Sequence, residues 1–195
     1  MPDLIAKDGK RVNSGEWWET KRQVMIDHND LRDNRVEHTY AGAHCLGGPV
    51  LELGFAFGML VRYLPQDVTY VGWDIAKTFV HDARKGNPNN LFLHVDILEM
   101  DLNPWRGAFK CGAAFQVLEH FEDLNKVMFR LRAVVTDRLI LSVPRGLPTD
   151  KDRRGDGHVR GWEDEEAVIK TFSVWGGVSC WGGKPNHICA TVDWS

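Results

Sequence analysis

The stretch Val50–Gly58, with the sequence VLELGFAFG, constrains the fold of this chain more than any other. A short apolar segment leads into a loop of small residues, and a second apolar run, MLVRYL, follows directly. Small residues let a backbone turn sharply and approach a ligand closely. The pattern predicts a buried strand, a tight turn and the opening of a helix over residues 59–64.

Strand and helix patterns alternate after this loop. Further strands are predicted over residues 68–73, 91–95, 111–115 and 138–143, with helices over 77–84 and 123–135. Such alternation is typical of parallel strands joined by right-handed crossovers. The tail differs, because a helix over 163–171 precedes two strands, 172–181 and 187–194, around a turn at 182–186. The predicted fold is α/β: a Rossmann-like, doubly wound, mostly parallel seven-stranded sheet with a C-terminal antiparallel hairpin.

The chain of 195 residues is predicted to form one domain, with an N-terminal helical lid segment at 1–45 and a catalytic core at 46–195. Residues 1–14 are polar and are expected to lie loosely on the surface. Ser14 is placed to cap a helix from about Glu16 to His28. Trp17 and Trp18 on that helix either dock onto the core or cover a site, and the structure of residues 27–40 is left open.

Composition limits where the protein is expected to be located and which partners it is expected to bind. The longest apolar runs are strand-sized and the N-terminus has no secretory pattern, so we expect a cytoplasmic protein without membrane association. The net charge of −3 argues against a dedicated nucleic-acid binder. The cysteines at positions 45, 111, 180 and 189 lack paired spacing. They are predicted to be reduced, mostly buried thiols, with no disulfide and no metal site.

Polar residues end four of the predicted strands: Glu52, Asp74, Asp96 and Gln116. In a parallel sheet these residues share one edge, where ligands bind. Three carboxylates are costly there unless they meet hydrogen-bond donors, which favours a ligand rich in hydroxyl and amino groups over a pyrophosphate. A dinucleotide loop G-x-G-x-x-G would need a small residue where Met59 stands, although Asp74 keeps a ribose role open for that alternative.

Five segments in order resemble the class I S-adenosylmethionine-dependent methyltransferases over residues 50–143. The segments are ELGFAFG at 52–58, VGWDI at 71–75, HVDI at 94–97, FQVLEHF at 115–121 and LSVP at 141–144. The first is similar to the family's E-x-G-x-G-x-G, with Ala56 at its middle glycine. The fourth is similar to the V-L-E-H segment after the fourth strand.

The resemblance implies S-adenosyl-L-methionine as cofactor, and it implies a set of cofactor-binding positions. These are Glu52, Gly54, Phe55, Ala56, Gly58, Asp74, Ile75, Asp96, Ile97, Gln116 and Val117. Glu52 would hold the ammonium group, Asp74 both ribose hydroxyls and Asp96 the adenine amino group. The alternative for Asp74 and Asp96 is that they cap the turns after their strands.

The resemblance also places Glu119 and His120 at the mouth of the site. His120 could take an acceptor proton near neutral pH, or both residues could cap a helix start. The polar segment 145–160 falls where this family often builds its substrate wall. There Arg145, His158 and Trp162 either face an acidic or aromatic substrate or belong to a solvated loop. The substrate candidates are Trp17, Trp18, Arg145 and Trp162, and the catalytic candidates are Glu119, His120 and His158.

The function expected from the resemblance is methyl transfer to an oxygen or nitrogen of a small-molecule acceptor. A nucleic-acid methyltransferase is one alternative, although the sequence has neither an N/D-P-P-Y segment nor a Pro-Cys pair. A catalytically silent S-adenosylmethionine-binding partner protein is another. The sequence leaves the acceptor and the oligomeric state open.

Overall fold

Seven strands form one sheet in the computed structural model, which describes residues 10–27, 35–148, 157–182 and 185–194. The strands are β1 (Val50–Leu53), β2 (Tyr70–Asp74), β3 (Leu91–His94), β4 (Phe109–Phe115), β5 (Val135–Pro144), β6 (Gly177–Cys180) and β7 (His187–Asp193). Their order is β3-β2-β1-β4-β5-β7-β6, and β7 runs antiparallel to both β5 and β6. The predicted mostly parallel sheet with a C-terminal hairpin is therefore confirmed.

The centre of the sheet is β1, which pairs in parallel with β2 on one side and with β4 on the other. All four of its residues are buried, as expected for a strand covered on both faces. The chain passes from β1 towards β2 and β3 and then returns to β4, so the strand order reverses at β1. In such sheets a crevice opens at the carboxyl ends of the strands beside this reversal.

Five helices accompany the sheet in the described part of the chain. They are α1 (Gly15–Asp27), α2 (Arg35–His44), α3 (Lys77–Gly86), α4 (Leu124–Val134) and α5 (Glu165–Phe172). The predicted cap of α1 is confirmed, because the Ser14 hydroxyl accepts a hydrogen bond from the backbone N–H of Trp17 at 3.2 Å. Helix α2 occupies part of the segment that the sequence left open, and residues 28–34 lie outside the described residues.

The helix predicted directly after the small-residue loop is wrong in length. Only a short 3₁₀ turn forms, over Leu60–Tyr63, and Leu64 then takes an extended conformation with φ −79° and ψ 145°. The cause is Pro65, whose ring disfavours a helical conformation in the residue before it.

The cysteine prediction is wrong for one pair. Cys45, just after α2, and Cys111, in β4, form a disulfide across 66 positions of sequence, with their Cα atoms 5.4 Å apart. The contact depends on how α2 lies against the sheet, which spacing along the chain does not show. Cys180 and Cys189 are free thiols, as predicted.

Among the described residues, no helix combines the length and apolar character needed to cross a membrane.

The division of residues 1–195 into a lid segment and a core stays a prediction, and so does the cytoplasmic location.

Candidate active site

A cavity of about 860 Å³ opens at the carboxyl ends of β1, β2 and β4. Most of the residues predicted for the site line it together. They are Trp17, Trp18, Glu52, Gly54, Phe55, Ala56, Asp74, Ile75, Asp96, Ile97, Gln116, Val117, Glu119, His120 and His158. The sheet edge inferred from the strand ends is thus the floor of one continuous cavity.

The loop after β1 is shaped by left-handed backbone conformations. Gly54 has φ +70°, and a Cβ added there would lie 2.6 Å from a methyl group of Val117. Ala56 has φ +47° although it carries a side chain, which costs about 1 kcal/mol or more. The loop therefore needs glycine-like geometry at position 56, as the resemblance implies, and Ala56 adopts it under strain.

Asp74 connects this loop to the end of β2. Its carboxylate accepts hydrogen bonds from the backbone N–H groups of Ala56 at 3.0 Å and Ala76 at 2.9 Å. Burial raises the pKa of Asp74 to about 6, and the two N–H donors oppose that rise. Asp96 likewise accepts from the N–H of Leu98 at 2.9 Å. Both acids thus cap their turns, and both are among the residues that line the cavity, while their role in cofactor binding stays a prediction.

Glu52 has buried partners that the sequence did not reveal. The Tyr70 hydroxyl donates to its carboxylate at 2.5 Å, and His38 Nε2 lies 4.0 Å from the other carboxylate oxygen. Burial raises the pKa of Glu52 to about 8 and lowers the pKa of His38 to about 4. His38 belongs to α2, in the segment whose structure the sequence did not predict, and Tyr70 has the pattern of an ordinary strand residue. The sequence therefore did not indicate that either residue contacts Glu52.

Glu119 and His120 stand at the other end of the cavity, in a 3₁₀ turn over Leu118–His120 that follows β4. Glu119 is fully buried, and neither of its carboxylate oxygens has a hydrogen-bond partner among the described residues. The Nδ1 atom of His120 lies 3.1 Å from the carbonyl oxygen of Gly157, and the indole of Trp18 meets the imidazole edge-on.

Burial shifts both of these titratable groups. It raises the pKa of Glu119 to about 8 and lowers the pKa of His120 to about 3, where His158 adds to the lowering. Desolvation thus keeps the His120 ring neutral and weakly basic, which argues against proton exchange near neutral pH, and the role of His120 stays a prediction.

The segment after residue 156 holds the third member of this group. The backbone N–H of Val159 donates to the Glu119 carbonyl at 2.9 Å, which brings His158 Nε2 to 3.9 Å from a Glu119 carboxylate oxygen. Asn13 donates from its side chain to the carbonyl oxygens of His120 and Gly157, at 2.9 and 2.7 Å. Residues 11–14 thus line the cavity, contrary to the expectation of a loose surface segment, and residues 1–9 lie outside the described residues.

Three predicted site residues do not line the cavity. Arg145 forms an ion pair with Glu165, and Trp162 is buried in the core with its indole N–H donating to Thr171 at 3.0 Å. These two residues therefore lie outside the lining of the cavity, whereas His158 of the same predicted wall belongs to it. A Cβ on Gly58 would lie 2.7 Å from the ring of Phe92, so this glycine permits packing beneath the loop. Residues 149–156 of the predicted wall lie outside the described residues.

Comparisons with known proteins agree with this geometry. Residues 51–138 match the family described as the methyltransferase domain. The fold is similar to the CurJ carbon methyltransferase, with a TM-score of 0.66 and 15% identity over 94% of this chain and 60% of that one. It is also similar to magnesium protoporphyrin IX methyltransferase (ChlM) from Synechocystis PCC 6803 with bound S-adenosylmethionine, with a TM-score of 0.59 and 17% identity over 95% of this chain and 86% of that one.

A further structural neighbour comes from Rhodobacter sphaeroides and is provisionally named a Zn-dependent alcohol dehydrogenase. Its TM-score is 0.68 at 12% identity, covering 94% of this chain and 99% of that one. Identities this low show a shared fold alone. No curated protein matches the sequence.

Fold and site together define a Rossmann-like protein with a cavity at the reversal of strand order, over three acidic strand ends. The family match specifies the class further, because it covers β1 to the start of β5 and includes the loop, Asp74, Asp96 and the Glu119–His120 pair. Residues 51–138, a little under half of the chain, match a methyltransferase domain, and the fold is that of the class I S-adenosylmethionine-dependent methyltransferases.

Proposed function

We propose that this chain is an S-adenosylmethionine-dependent methyltransferase, and that it modifies an oxygen or nitrogen atom of a small-molecule acceptor that occupies the cavity beside Trp18 and His158. The observation that carries this proposal is the continuity of the cavity from Asp74 and Asp96 to the Glu119 end. At about 860 Å³ it falls in the upper part of the size range of small-molecule sites, which leaves space for an acceptor next to a cofactor.

The residues present fit the proposed cofactor. Gly54 has no side chain, so the loop backbone comes close to the cavity without collision. The side-chain oxygens of Glu52, Asp74 and Asp96 offer acceptors to an ammonium group, two ribose hydroxyls and an adenine amino group. When bound, S-adenosylmethionine supplies a methyl group on a positively charged sulfur.

The acceptor end is built to hold a small molecule in place. Trp17 and Trp18 pack edge to face, with ring centres 4.8 Å apart, and Trp18 continues the contact to His120. Rigid aromatic walls of this kind orient a ligand and displace water. Methyl transfer is an in-line displacement, which depends mainly on such alignment. Glu119, His120 and His158 are polar residues at this end, and we keep them as the candidates that handle the acceptor.

The comparisons support the small-molecule part of the proposal. The names of two structural neighbours specify carbon methylation and magnesium protoporphyrin IX as a substrate. This chain spans only 60% of the CurJ chain, so a substrate of that protein is not carried over. The negative net charge and the aromatic acceptor wall favour a small acceptor over nucleic acid.

The test has two stages. Calorimetry measures binding of S-adenosylhomocysteine, the demethylated cofactor, to the full chain, and absence of binding refutes the proposal. Incubation with methyl-labelled cofactor and fractionated metabolites then identifies the labelled product by mass spectrometry. Trp18→Ala is expected to reduce labelling by at least about tenfold while it keeps cofactor binding within about threefold, because it removes acceptor wall only. Labelling of RNA in place of metabolites would support the nucleic-acid alternative instead.

A further inference from the structure

We propose that Glu119, His120 and His158 bind one divalent transition-metal ion, and that an oxygen-bearing acceptor binds to this ion. The second part rests on the proposed function, because it assigns the acceptor to the same end of the cavity. The first part is a statement about the three side chains alone and can be tested without any acceptor.

The three side chains converge on one point. One ligand atom from each of them lies within 4.8 Å of the others. Glu119 Oε1 is 3.8 Å from His120 Nε2 and 3.9 Å from His158 Nε2. Neighbouring ligands on an ion with bonds of about 2.1 Å lie about 3.0 to 3.4 Å apart. Binding therefore needs the Glu119–histidine pairs to close by about half an ångström and the two histidines to approach each other by up to about 1.5 Å.

The carboxylate of Glu119 independently points to a ligand. The side chain is fully buried, yet neither oxygen has a hydrogen-bond partner among the described residues. The ion pairs that the structure records for it are both with histidines. A buried carboxylate without donors is strongly unfavourable, and a cation bound to it removes that cost. Glu119, His120 and His158 are all among the residues that line the cavity, and the His158 side chain is partly exposed, so an ion held by the three lies beside the cavity.

The histidine geometry also matches a metal ligand. His120 places Nδ1 against the carbonyl oxygen of Gly157, which can only accept, so this nitrogen carries the proton and Nε2 has the lone pair. Metal-binding histidines are commonly oriented in this way through the nitrogen that does not bind the metal. Asn13 holds the same Gly157 carbonyl at 2.7 Å and therefore fixes the backbone on which the orientation depends.

Two imidazoles and one carboxylate favour ions such as Mn²⁺, Fe²⁺, Co²⁺ or Zn²⁺ over Mg²⁺ or Ca²⁺. Three protein ligands on one side of such an ion leave positions for other ligands, and an acceptor hydroxyl can take one of them. Coordination lowers the pKa of that hydroxyl, and its proton passes to water. The oxygen lone pair then forms the new C–O bond as the S–C bond breaks, and the electron pair of that bond stays on sulfur.

This inference departs from the prediction of no metal site, which considered only the spacing of the cysteines. Glu119 and His120 are neighbours in the sequence, but His158 is 38 positions further on. The backbone bond between Val159 and Glu119 brings it back to the pair.

The experiment uses the full chain, stripped with a chelator and titrated separately with Mn²⁺ and Co²⁺. Electron paramagnetic resonance follows free Mn²⁺, and visible absorption reports imidazole coordination of Co²⁺. We expect one ion per chain in the wild type, with affinity reduced more than about tenfold in Glu119→Gln and in His158→Ala. Absence of saturable binding, or equal affinity in these variants, refutes the site.

The matched control is His81→Ala. His81 also lies beside a carboxylate, with Nδ1 3.3 Å from Asp82 Oδ1, but its side chain is 78% exposed and outside the cavity. This variant is expected to bind the ion like the wild type, and loss of binding there would refute the assignment. The His158 side chain is 25% exposed, so its replacement remains decisive if Glu119→Gln fails to fold.

Calorimetry with S-adenosylhomocysteine on the same samples separates the two proposals. If the wild type binds this ligand but no ion, the metal site is refuted and the proposed function stands. If it binds the ion but not this ligand, the proposed function is refuted, and with it the assigned role of the ion.

Discussion

Replacement of Asp74 by asparagine is expected to separate cofactor binding from stability. The two carboxylate oxygens accept hydrogen bonds from the N–H groups of Ala56 and Ala76, and Asp74 is among the residues that line the cavity where we place the ribose. The substitution Asp74→Asn keeps the size of the side chain and removes its charge. We therefore expect a large loss of S-adenosylhomocysteine affinity with little loss of folding stability.

The magnitudes follow from the two sets of contacts. A hydrogen bond to a charged group contributes about 1.5–3 kcal/mol, so weakening two ribose contacts costs about 3 kcal/mol, or about 100-fold in Kd. Stability changes in the opposite sense, because the buried carboxylate has its pKa raised from 3.8 to about 6. That difference corresponds to about 3 kcal/mol of destabilisation above pH 6, which the neutral amide removes. The amide also places its NH₂ group opposite the backbone N–H of Ala56 or Ala76, where two donors meet. The lost hydrogen bond costs about 1–3 kcal/mol of stability, which offsets most of this gain.

The assay combines calorimetry with S-adenosylhomocysteine and urea denaturation, both at pH 8. Asp67→Asn is the matched control, because Asp67 is exposed and outside the cavity. We expect this control to bind like the wild type. A Kd of Asp74→Asn within about threefold of the wild-type value would refute the ribose role. A fall in unfolding free energy of more than about 3 kcal/mol would refute the reasoning on the buried charge.

Three other predictions concern pH, backbone conformation and the disulfide. Because the pKa of Asp74 is about 6, its side chain becomes protonated below that pH, and affinity for S-adenosylhomocysteine should fall by up to tenfold per pH unit. Calorimetry at pH 5 and pH 7.5 measures this change, and equal affinity at the two pH values contradicts the prediction. In urea denaturation, Ala56→Gly should leave the unfolding free energy unchanged or raise it by up to about 1 kcal/mol, since glycine relieves the strain of the left-handed φ of +47°. Gly54→Ala should instead lower the unfolding free energy by more than about 1 kcal/mol. Reduction of the Cys45–Cys111 bond should lower the unfolding free energy by about 4 kcal/mol, given its span of 66 residues, and peptide mapping without reductant should recover the linked pair.

The cofactor end of the site follows from local sequence patterns. Each strand end there is followed by its functional residue, as with Glu52, Asp74 and Asp96, and parallel strands place such residues at one edge. The acceptor end depends on contacts distant in sequence. Asn13 meets His120 and Gly157 across more than 100 positions, and no periodicity encodes such a contact.

The errors have equally physical causes. The pattern MLVRYL is compatible with a helix, but Pro65 stops it after one turn. Trp162 carries a polar indole nitrogen in a polar segment, yet Thr171 satisfies it within the core. The pairing of Cys45 with Cys111 arises from the position of α2.

The side-chain amide of Asn13 has a consequence for how this enzyme can diverge. By donating to the carbonyls of His120 and Gly157, it couples residues 10–14 to the acceptor end. The ribose-facing carboxylate of Asp74 is held separately, by the loop after β1. Substitutions upstream of α1 can thus alter which molecule is modified while the methyl donor stays the same, so this short leading segment is a natural place for new substrate preferences to evolve.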